Sequence, residues 1–264
     1  MREIDHSFAI LAYKESPYLE ECIRSLVSQT KKSNIYISTS TPSRFLDRLA
    51  KKYELRIHLN KKSSGIASDW SFAYNASGTR YVTLAHQDDL YGENFSLELM
   101  KRRKLEEESL IFFTNYGELV NGESRFYTLN LVIKRVICRF FFLFSDSIRV
   151  NFLKTSLLSF GSPIPCPSVT YDRQHLNDFN FSEEFKINMD WDAWLRIAEK
   201  RGSFVRIEKN LMLHRIHPES ETTKGISDNR RYNEDLRMFS RIWPAFFVKF
   251  IAKIYKLSYG SNAR

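Results

Sequence analysis

Residues 7–37, SFAILAYKESPYLEECIRSLVSQTKKSNIYI, decide the fold class. The apolar run Ser7–Ala12 is typical of a buried strand in a parallel sheet. Ser16-Pro17 then supplies an N-cap and a proline at the first helical position, and apolar residues at helical spacing predict a helix over 17–29. Because Ile35–Ile37 predicts a second strand, the stretch has the strand–helix–strand order of a parallel sheet.

The alternation of strands and helices continues to residue 85. Helices are predicted over 43–53 and from Gly65 onward, and strands over Leu55–Leu59 and Tyr81–Ala85. The resulting β-α-β-α-β-α-β order predicts an α/β fold with a doubly wound, mostly parallel sheet and helices on both faces. Ligands of such sheets bind at the carboxyl ends of the strands, so the residues that follow each strand are candidates for a functional site.

The second half of the chain is less regular than the first. Helices are predicted over 93–107 and 190–201, and strands over Leu110–Asn115, 168–171 and Phe204–Ile207.

Two segments of the chain are both basic and apolar. Residues 124–145 contain no acidic residue and include LVIKRVICRFFFLF, and no acidic residue follows Asp235. Pro244 is expected to begin a last helix, whose lysines are Lys249, Lys253 and Lys256. A lysine stripe on an apolar helix is typical of a helix that lies in an anionic membrane interface. The alternative is a core or oligomer helix with lysines at its rim.

The composition limits the class of protein. Of the 264 residues, 43% are apolar, and 40 Lys and Arg against 31 Asp and Glu give a net charge of +9. The charge predicts an anionic partner, such as nucleic acid, an acidic membrane surface or a phosphorylated ligand. Three widely spaced cysteines argue against a disulfide framework and a zinc ribbon. Neither a signal peptide nor an apolar span of about 18 residues is recognisable, so we expect a cytoplasmic protein.

Two acidic motifs contain side chains suited to catalysis or metal binding. His86-Gln87-Asp88-Asp89 follows the fourth predicted strand. Its adjacent carboxylates repel each other, and they fit either a divalent cation with a diphosphate or an acidic turn before the next helix. Asp190-Trp191-Asp192 begins a helix, where the helix dipole favours acidic residues. Alternatively, one of these carboxylates is a general base whose pKa the tryptophans raise.

Two further motifs are candidates for ligand binding. His214-Arg215-Ile216-His217 combines two histidines and an arginine, which can supply a metal ligand and a phosphate clamp or belong to a loop without such a role. Tyr13-Lys14-Glu15 leaves the first strand and either holds an aromatic base or forms a polar turn. None of the four motifs is specific by itself.

The order and spacing of these motifs closely resemble those of the family 2 glycosyltransferases. The resemblance is carried by SFAILAYKESPYLEECIRSLVSQT, GIASDWSFAYNASGTRYVTLAHQDDLY, MDWDAWLRIA and HRIHPES, and it covers roughly residues 6–223. It implies a GT-A domain over residues 1–223, in which 1–115 form the nucleotide-sugar half and 116–223 the acceptor half. Residues 224–264 are then a basic, amphipathic helical tail outside that core.

The resemblance also implies roles for individual residues. Asp190 falls on the family's catalytic base. Residues that bind the donor nucleotide-sugar are implied at Ala12, Tyr13, Glu15, Gly65, Asp88 and Arg215. Ligands of a Mn²⁺ or Mg²⁺ ion are implied at Asp88, His217, His86 and Asp89.

The sequence departs from the family pattern in three places. His86 stands where the first aspartate of the D-x-D motif is expected, although an imidazole also ligates Mn²⁺. The second strand ends in Ser38–Thr41, where the family has aspartates that touch the nucleotide base. Met189 replaces the glutamate that precedes the catalytic base. The first departure bears on the metal ligands, and the second bears on which nucleotide is recognised.

The expected reaction is a metal-assisted, inverting transfer of a sugar from a nucleoside-diphosphate donor, with a UDP-sugar favoured. The acceptor is a hydroxyl of a glycan or lipid-linked glycan, in the manner of bacterial surface-polysaccharide enzymes that lie on the inner face of the plasma membrane. One alternative is a catalytically inactive GT-A-like binding protein. Another is a nucleotidyltransferase on the same fold, although AYKESPY lacks the expected Gly-rich phosphate loop. Nucleic acid is disfavoured as a partner because the basic residues lie among long aliphatic runs.

Overall fold

The computed structural model describes residues 4–62, 65–220 and 229–261. Its strands are β1 (His6–Ala12), β2 (Asn34–Thr39), β3 (Arg56–Leu59), β4 (Tyr81–His86), β5 (Leu90–Tyr91), β6 (Ser109–Val120), β7 (Glu123–Arg125), β8 (Ser147–Ile148), β9 (Val169–Asp172) and β10 (Ser203–Ile216). Its helices are α1 (Leu19–Val27), α2 (Arg44–Lys52), α3 (Ile66–Asn75), α4 (Phe95–Arg103), α5 (Leu129–Phe141), α6 (Asn151–Leu157), α7 (Met189–Ala198), α8 (Arg230–Ser240) and α9 (Ala245–Tyr255). Short 3₁₀ helices cover Cys166–Ser168 and Lys256–Ser261.

One mixed sheet runs through the molecule in the order β3-β2-β1-β4-β9-β6-β10-β5, with β7 beside β6 and β8 beside β10. Strands β1 to β4 pair in parallel, as do β6 and β10, and β9 lies antiparallel between β4 and β6. Strands β1, β4, β6 and β10 therefore run in the same direction and end at one edge of the sheet. The predicted α/β fold with a mostly parallel sheet is confirmed.

Alternate residues of β1 face two separate apolar cores. Phe8 and Ile10 pack on one face of the sheet with apolar residues of α1, α2 and α4. Ala9 faces the opposite core, which contains Trp191 and Trp194 of α7 together with residues of α3, α5 and α6. Side chains of a strand alternate between its two faces, so this arrangement confirms the prediction of helices on both sides of the sheet.

Strands β6 and β10 are longer than predicted. The register of their pairing shifts between Ile207 and Asn210, and exposed polar residues at this irregularity interrupt the apolar pattern from which a strand is predicted. Beyond the irregularity, His214 pairs with Glu118 and Arg215 with Leu119. The histidine–arginine motif therefore begins on a strand and only His217 lies in the following loop.

The C-terminal helices pack onto the sheet-and-helix core. The ring of Phe239 on α8 lies 5.0 Å from that of Trp191, and Ala252 on α9 is fully buried. The Trp243 indole between the two helices donates a hydrogen bond to the Ser159 carbonyl oxygen at 2.7 Å. The expected extension is helical, but it is not separate from the core, because each helix buries one face there. The predicted boundary at residue 223 lies outside the described residues.

Every helix in the described ranges lacks either the length or the apolar character that crossing a bilayer requires.

We expect Gly161→Ala to loosen α9 from the core. Gly161 has a φ of +118°, and an added Cβ would collide with the Tyr255 ring of α9. Gly122→Ala is the matched control, because Gly122 has a φ of +84° and nothing within 4 Å of the added Cβ. In urea unfolding, each variant should lose about 1–3 kcal/mol through backbone strain. Gly161→Ala should lose about 1–3 kcal/mol more through overpacking, and equal losses would contradict this packing of α9.

Candidate active site

A cleft of about 1100 Å³ opens at the edge where β1, β4, β6 and β10 end. Side chains from both predicted halves of the chain form its walls. Most of the residues singled out from the sequence line it: Ala12, Tyr13, Glu15, Gly65, His86, Asp88, Asp190 and His217. Asp89 and Arg215 instead lie behind the wall, where they contact the residues that do line it.

Asp89 fastens the acidic loop after β4 to strand β10. Its carboxylate is fully buried, and Oδ1 accepts hydrogen bonds from the backbone N–H of Arg215 at 2.8 Å and from Nδ1 of His214 at 3.0 Å. Burial by itself would lower the pKa of His214, but the neighbouring Asp89 carboxylate raises it to about 9. His214 is therefore protonated at neutral pH and compensates the buried negative charge of Asp89.

Asp88 points into the cleft beside His217. The Asp88 Oδ2 and His217 Nε2 atoms are 2.9 Å apart. Burial raises the pKa of the Asp88 carboxyl, but the hydrogen bond from His217 and the charges of nearby histidines outweigh that effect and lower it overall. Asp88 is thus ionised at neutral pH and offers a carboxylate to the cleft.

Arg215 holds the acidic loop from behind. Its guanidinium donates to the Asp88 carbonyl oxygen at 2.8 Å and to the Glu21 carboxylate at 2.6 Å. The guanidinium carbon also lies 4.4 Å from the centroid of the Tyr18 ring. Because its donors are engaged in this way, Arg215 acts on the backbone of the loop, and the geometry does not favour the predicted role as a diphosphate clamp.

The fit of a divalent cation can be tested on His86 and its neighbours. His86, Asp88 and Asp89 each offer a ligand atom, and these atoms lie within 4.8 Å of one another. Burial lowers the pKa of His86, so its imidazole is neutral, and its Nε2 is buried without a hydrogen-bond partner, as is Oδ2 of Asp89. A neutral imidazole and carboxylate oxygens suit Mn²⁺, so the residues fit the expected metal.

The two aspartates of helix α7 have different environments. Asp192 is buried and forms ion pairs with Arg196 at 2.9 Å and Arg241 at 2.5 Å, which marks it as a structural residue. Asp190 lines the cleft, and its Oδ1 accepts the backbone N–H of Trp191 at 2.7 Å. Burial raises the pKa of Asp190, although this N–H and the charges of Arg231 and Lys134 oppose the rise. A carboxylate with a raised pKa in a cleft is suited to accept a proton.

A carboxylate reaches the end of β2 from a neighbouring helix. Asp69 on α3 lines the cleft, and its oxygens accept hydrogen bonds from the Ser40 hydroxyl at 2.7 Å and from Nδ2 of Asn60 at 2.8 Å. In the sequence, only serines and threonines mark the end of β2. In the structure, Asp69 places a negative charge beside that strand end.

Sequence reasoning missed six charged residues that line the cleft, which are Asp69, Glu118, Lys134, Lys186, Glu219 and Arg231. The sequence did contain a sign of Lys134. It is a cation one turn from Asn130 and from Cys138, on the face of α5 that packs toward the cleft and the core. Asp69 and Arg231 reach the cleft only through the docking of their helices, and no local pattern reveals that docking.

Comparisons with known proteins agree with this geometry. The family described as Glycosyl transferase family 2 matches residues 7–163. Among solved structures, S. aureus TarS 1–349 in complex with UDP-GlcNAc has a TM-score of 0.66 at 14% identity, covering 97% of this chain and 72% of that one. A mannosyltransferase from Pyrobaculum calidifontis in complex with GDP-Man and Mn²⁺ has a TM-score of 0.64 at 13% identity, covering 95% and 69%.

A third solved structure is more distant. Glucosyl-3-phosphoglycerate synthase from Mycobacterium tuberculosis has a TM-score of 0.52 at 14% identity, covering 81% of this chain and 72% of that one. A search of curated protein sequences finds no match. At these identities the solved structures establish the fold, and the family match covers more than half of the sequence. This chain therefore belongs to glycosyl transferase family 2.

Proposed function

We propose that this protein is an inverting glycosyltransferase that moves a sugar from a nucleoside-diphosphate donor to a hydroxyl of a glycan or lipid-linked glycan. The observation that carries the proposal is a single cleft with the acidic Asp88 loop on one wall and Asp190 on another. One wall offers ligands for a divalent cation, and the other offers a carboxylate that can accept a proton.

The donor is proposed to be a UDP-sugar. Uracil presents an N–H between two carbonyl groups, and the carboxylate of Asp69 at the end of β2 is a suitable acceptor for it. The S. aureus structure with a similar fold contains UDP-GlcNAc, which supports this choice. Ala12, Tyr13, Glu15 and Gly65 line the same cleft.

A divalent cation, Mn²⁺ or Mg²⁺, is proposed to bind at Asp88, with His86, His217 and Asp89 as its other candidate ligands. The cation would stabilise the negative charge of the departing nucleoside diphosphate. Asp88 and His217 already contact each other at 2.9 Å, and Nε2 of His86 has no hydrogen-bond partner. The Pyrobaculum structure with a similar fold contains Mn²⁺, which supports this assignment.

Asp190 is proposed to be the general base. The acceptor oxygen forms a bond to the anomeric carbon while the bond from that carbon to the diphosphate breaks, and Asp190 takes the proton of the acceptor hydroxyl. The raised pKa of Asp190 makes it a better proton acceptor than an exposed aspartate. Arg215 and Glu21 contribute by holding the Asp88 loop in position.

An anionic membrane is proposed to be the surface on which the enzyme works. Most exposed large apolar side chains of the described residues lie in two segments, 127–160 and 246–257. The segments meet at Phe160, whose ring lies 5.2 Å from that of Trp243, and Trp243 in turn lies 6.1 Å from Phe247. Exposed apolar side chains concentrated in this way mark an interaction site.

The charges on this surface favour a membrane over a second protein. Phe246 and Phe250 of α9 are 75% and 64% exposed, and exposed lysines lie between and beside them at Lys249 and Lys253. No acidic residue follows Asp235. Lysines are depleted from protein–protein interfaces, whereas in an anionic membrane interface they extend to the headgroups.

Asp88→Ala should abolish metal-dependent donor binding. In a thermal shift experiment, UDP with Mn²⁺ at about 100 times its Kd should add roughly 2.7 kcal/mol of stability to the unmodified protein. The variant should show no gain from Mn²⁺, because its main carboxylate ligand is missing. Asp47→Asn, which removes an exposed charge from α2, should respond like the unmodified protein. A full metal response of Asp88→Ala would contradict the assignment.

Asp190→Asn should lower turnover by about 10²-fold or more while UDP still binds, because only proton acceptance is lost. With the unmodified enzyme, kcat should fall as the pH drops through the raised pKa of Asp190, since the protonated form cannot act as a base. The control is Asp192→Asn, which should reduce the free energy of unfolding and leave turnover of the folded enzyme largely intact. Unchanged turnover of Asp190→Asn would refute its role.

Replacing Phe246 and Phe250 by serine should release the protein from anionic vesicles. Each buried phenylalanine contributes roughly 1.5–3 kcal/mol, so the double variant should lose most flotation with phosphatidylglycerol vesicles. Leu105→Ser, which removes an exposed leucine elsewhere, should float normally. Membrane docking is contradicted if the unmodified protein does not float with the vesicles. It is also contradicted if the double substitution disrupts a dimer and leaves flotation unchanged.

A further inference from the structure

Two cations of the cleft have no part in the proposed chemistry. Lys134 on α5 and Arg231 in the first turn of α8 both line the wall near Asp190. Asp88 and Asp69, which are assigned to the donor, lie in the nucleotide-sugar half of the chain. Lys134 comes from the acceptor half, and Arg231 comes from the C-terminal extension.

Lys134 lacks a carboxylate partner among the described residues. Its Nζ donates a hydrogen bond to the Tyr116 hydroxyl at 3.1 Å and lies 5.6 Å from the centroid of that ring. The stretch of chain around it, residues 124–145, contains no acidic residue. An ammonium group whose contacts are neutral is available for an anionic ligand.

Arg231 also has a hydrogen-bond donor without a partner. Its Nε is buried without a hydrogen-bond partner, and its guanidinium carbon lies 5.3 Å from the centroid of the Tyr259 ring. Asp235 on the same helix acts electrostatically on Arg231, but its oxygens accept hydrogen bonds from Nδ2 of Asn188 and from the Tyr259 hydroxyl. No ion pair joins Arg231 to any carboxylate in the described part of the chain.

Lys134 and Arg231 are close enough to repel each other, and both act electrostatically on Asp190. Neither forms an ion pair with Asp190, whose Oδ1 accepts the Trp191 N–H instead. An anion bound between two like charges that form no ion pair with a carboxylate would offset their mutual repulsion.

We infer that Lys134 and Arg231 bind an anionic group, a phosphate or a carboxylate, that belongs to the acceptor and lies next to its reacting hydroxyl. Arginine binds such oxyanions through paired N–H donors, and lysine adds a compact positive charge. The hydroxyl then faces Asp190 while the anionic group fixes the acceptor's orientation. The inference rests on the proposed function, since it names the acceptor class of the same cleft.

The test compares sn-glycerol 3-phosphate with glycerol as probes. Their binding is measured by titration to the protein saturated with UDP and Mg²⁺. Glycerol 3-phosphate should bind at least tenfold more tightly than glycerol, and Lys134→Met and Arg231→Gln should each weaken it about tenfold. The matched controls are Arg139→Gln on α5 and Arg237→Gln on α8, which remove exposed charges outside the cleft. The controls should bind the probe normally, and all variants should bind UDP normally.

Equal affinity of the two probes would overturn the inference. A parallel loss of UDP affinity in Lys134→Met and Arg231→Gln would also overturn it, because the cations would then belong to the donor diphosphate. The inference is also contradicted if UDP-glucuronate binds more tightly than UDP-glucose and both variants abolish that difference. The cations would then bind an anionic group on the donor sugar. If UDP fails to bind the unmodified protein, the proposed function fails, and the glycerol 3-phosphate titration without nucleotide still decides whether the anion site exists.

Discussion

The buried carboxylate of Asp89 is the constraint on which the site depends. It accepts hydrogen bonds from the backbone of Arg215 and from the ring of His214, and so joins the loop after β4 to β10. An uncompensated charge in this position would cost several kcal/mol, so the two elements cannot separate without a large loss of stability. Arg215 adds a contact from the same strand to the Asp88 carbonyl oxygen. As a result, Asp88 is held against the cleft by a residue far away in the sequence.

The first half of the fold could be predicted because its patterns are local. Phe8, Ile10 and Ala9 alternate between two cores, so β1 is encoded in its own residues. The helix that follows was also predicted, but it begins at Leu19 with Tyr18 as its N-cap and not at Pro17. Strand β10 could not be delimited in the same way. The irregularity between Ile207 and Asn210 interrupts the apolar pattern, and only pairing with β6 continues the strand to Ile216.

The candidate site shows the same division between local and long-range information. Asp88 and Asp190 stand out because each carboxylate occurs where an element begins or ends, and the resemblance to a family gives them roles. Arg215 was assigned to the ligand, but the structure turns its guanidinium toward Glu21 and the Asp88 backbone. Asp69 was overlooked because the helix dipole favours any acidic residue in a first turn, and its role depends on where α3 lies beside β2.

The docking of α8 and α9 means that residues outside the family match help to form the cleft. The family match ends at residue 163, yet Arg231 and Tyr255 line the cleft from helices well beyond it. The matched part of the chain carries the ends of β1, β4 and β6 and the acidic loop, whereas Asp190, the end of β10 and helices α8 and α9 come from the part beyond it. Replacing α8 and α9 would therefore reshape their part of the cleft while the strand ends of the matched part and the acidic loop stay in place.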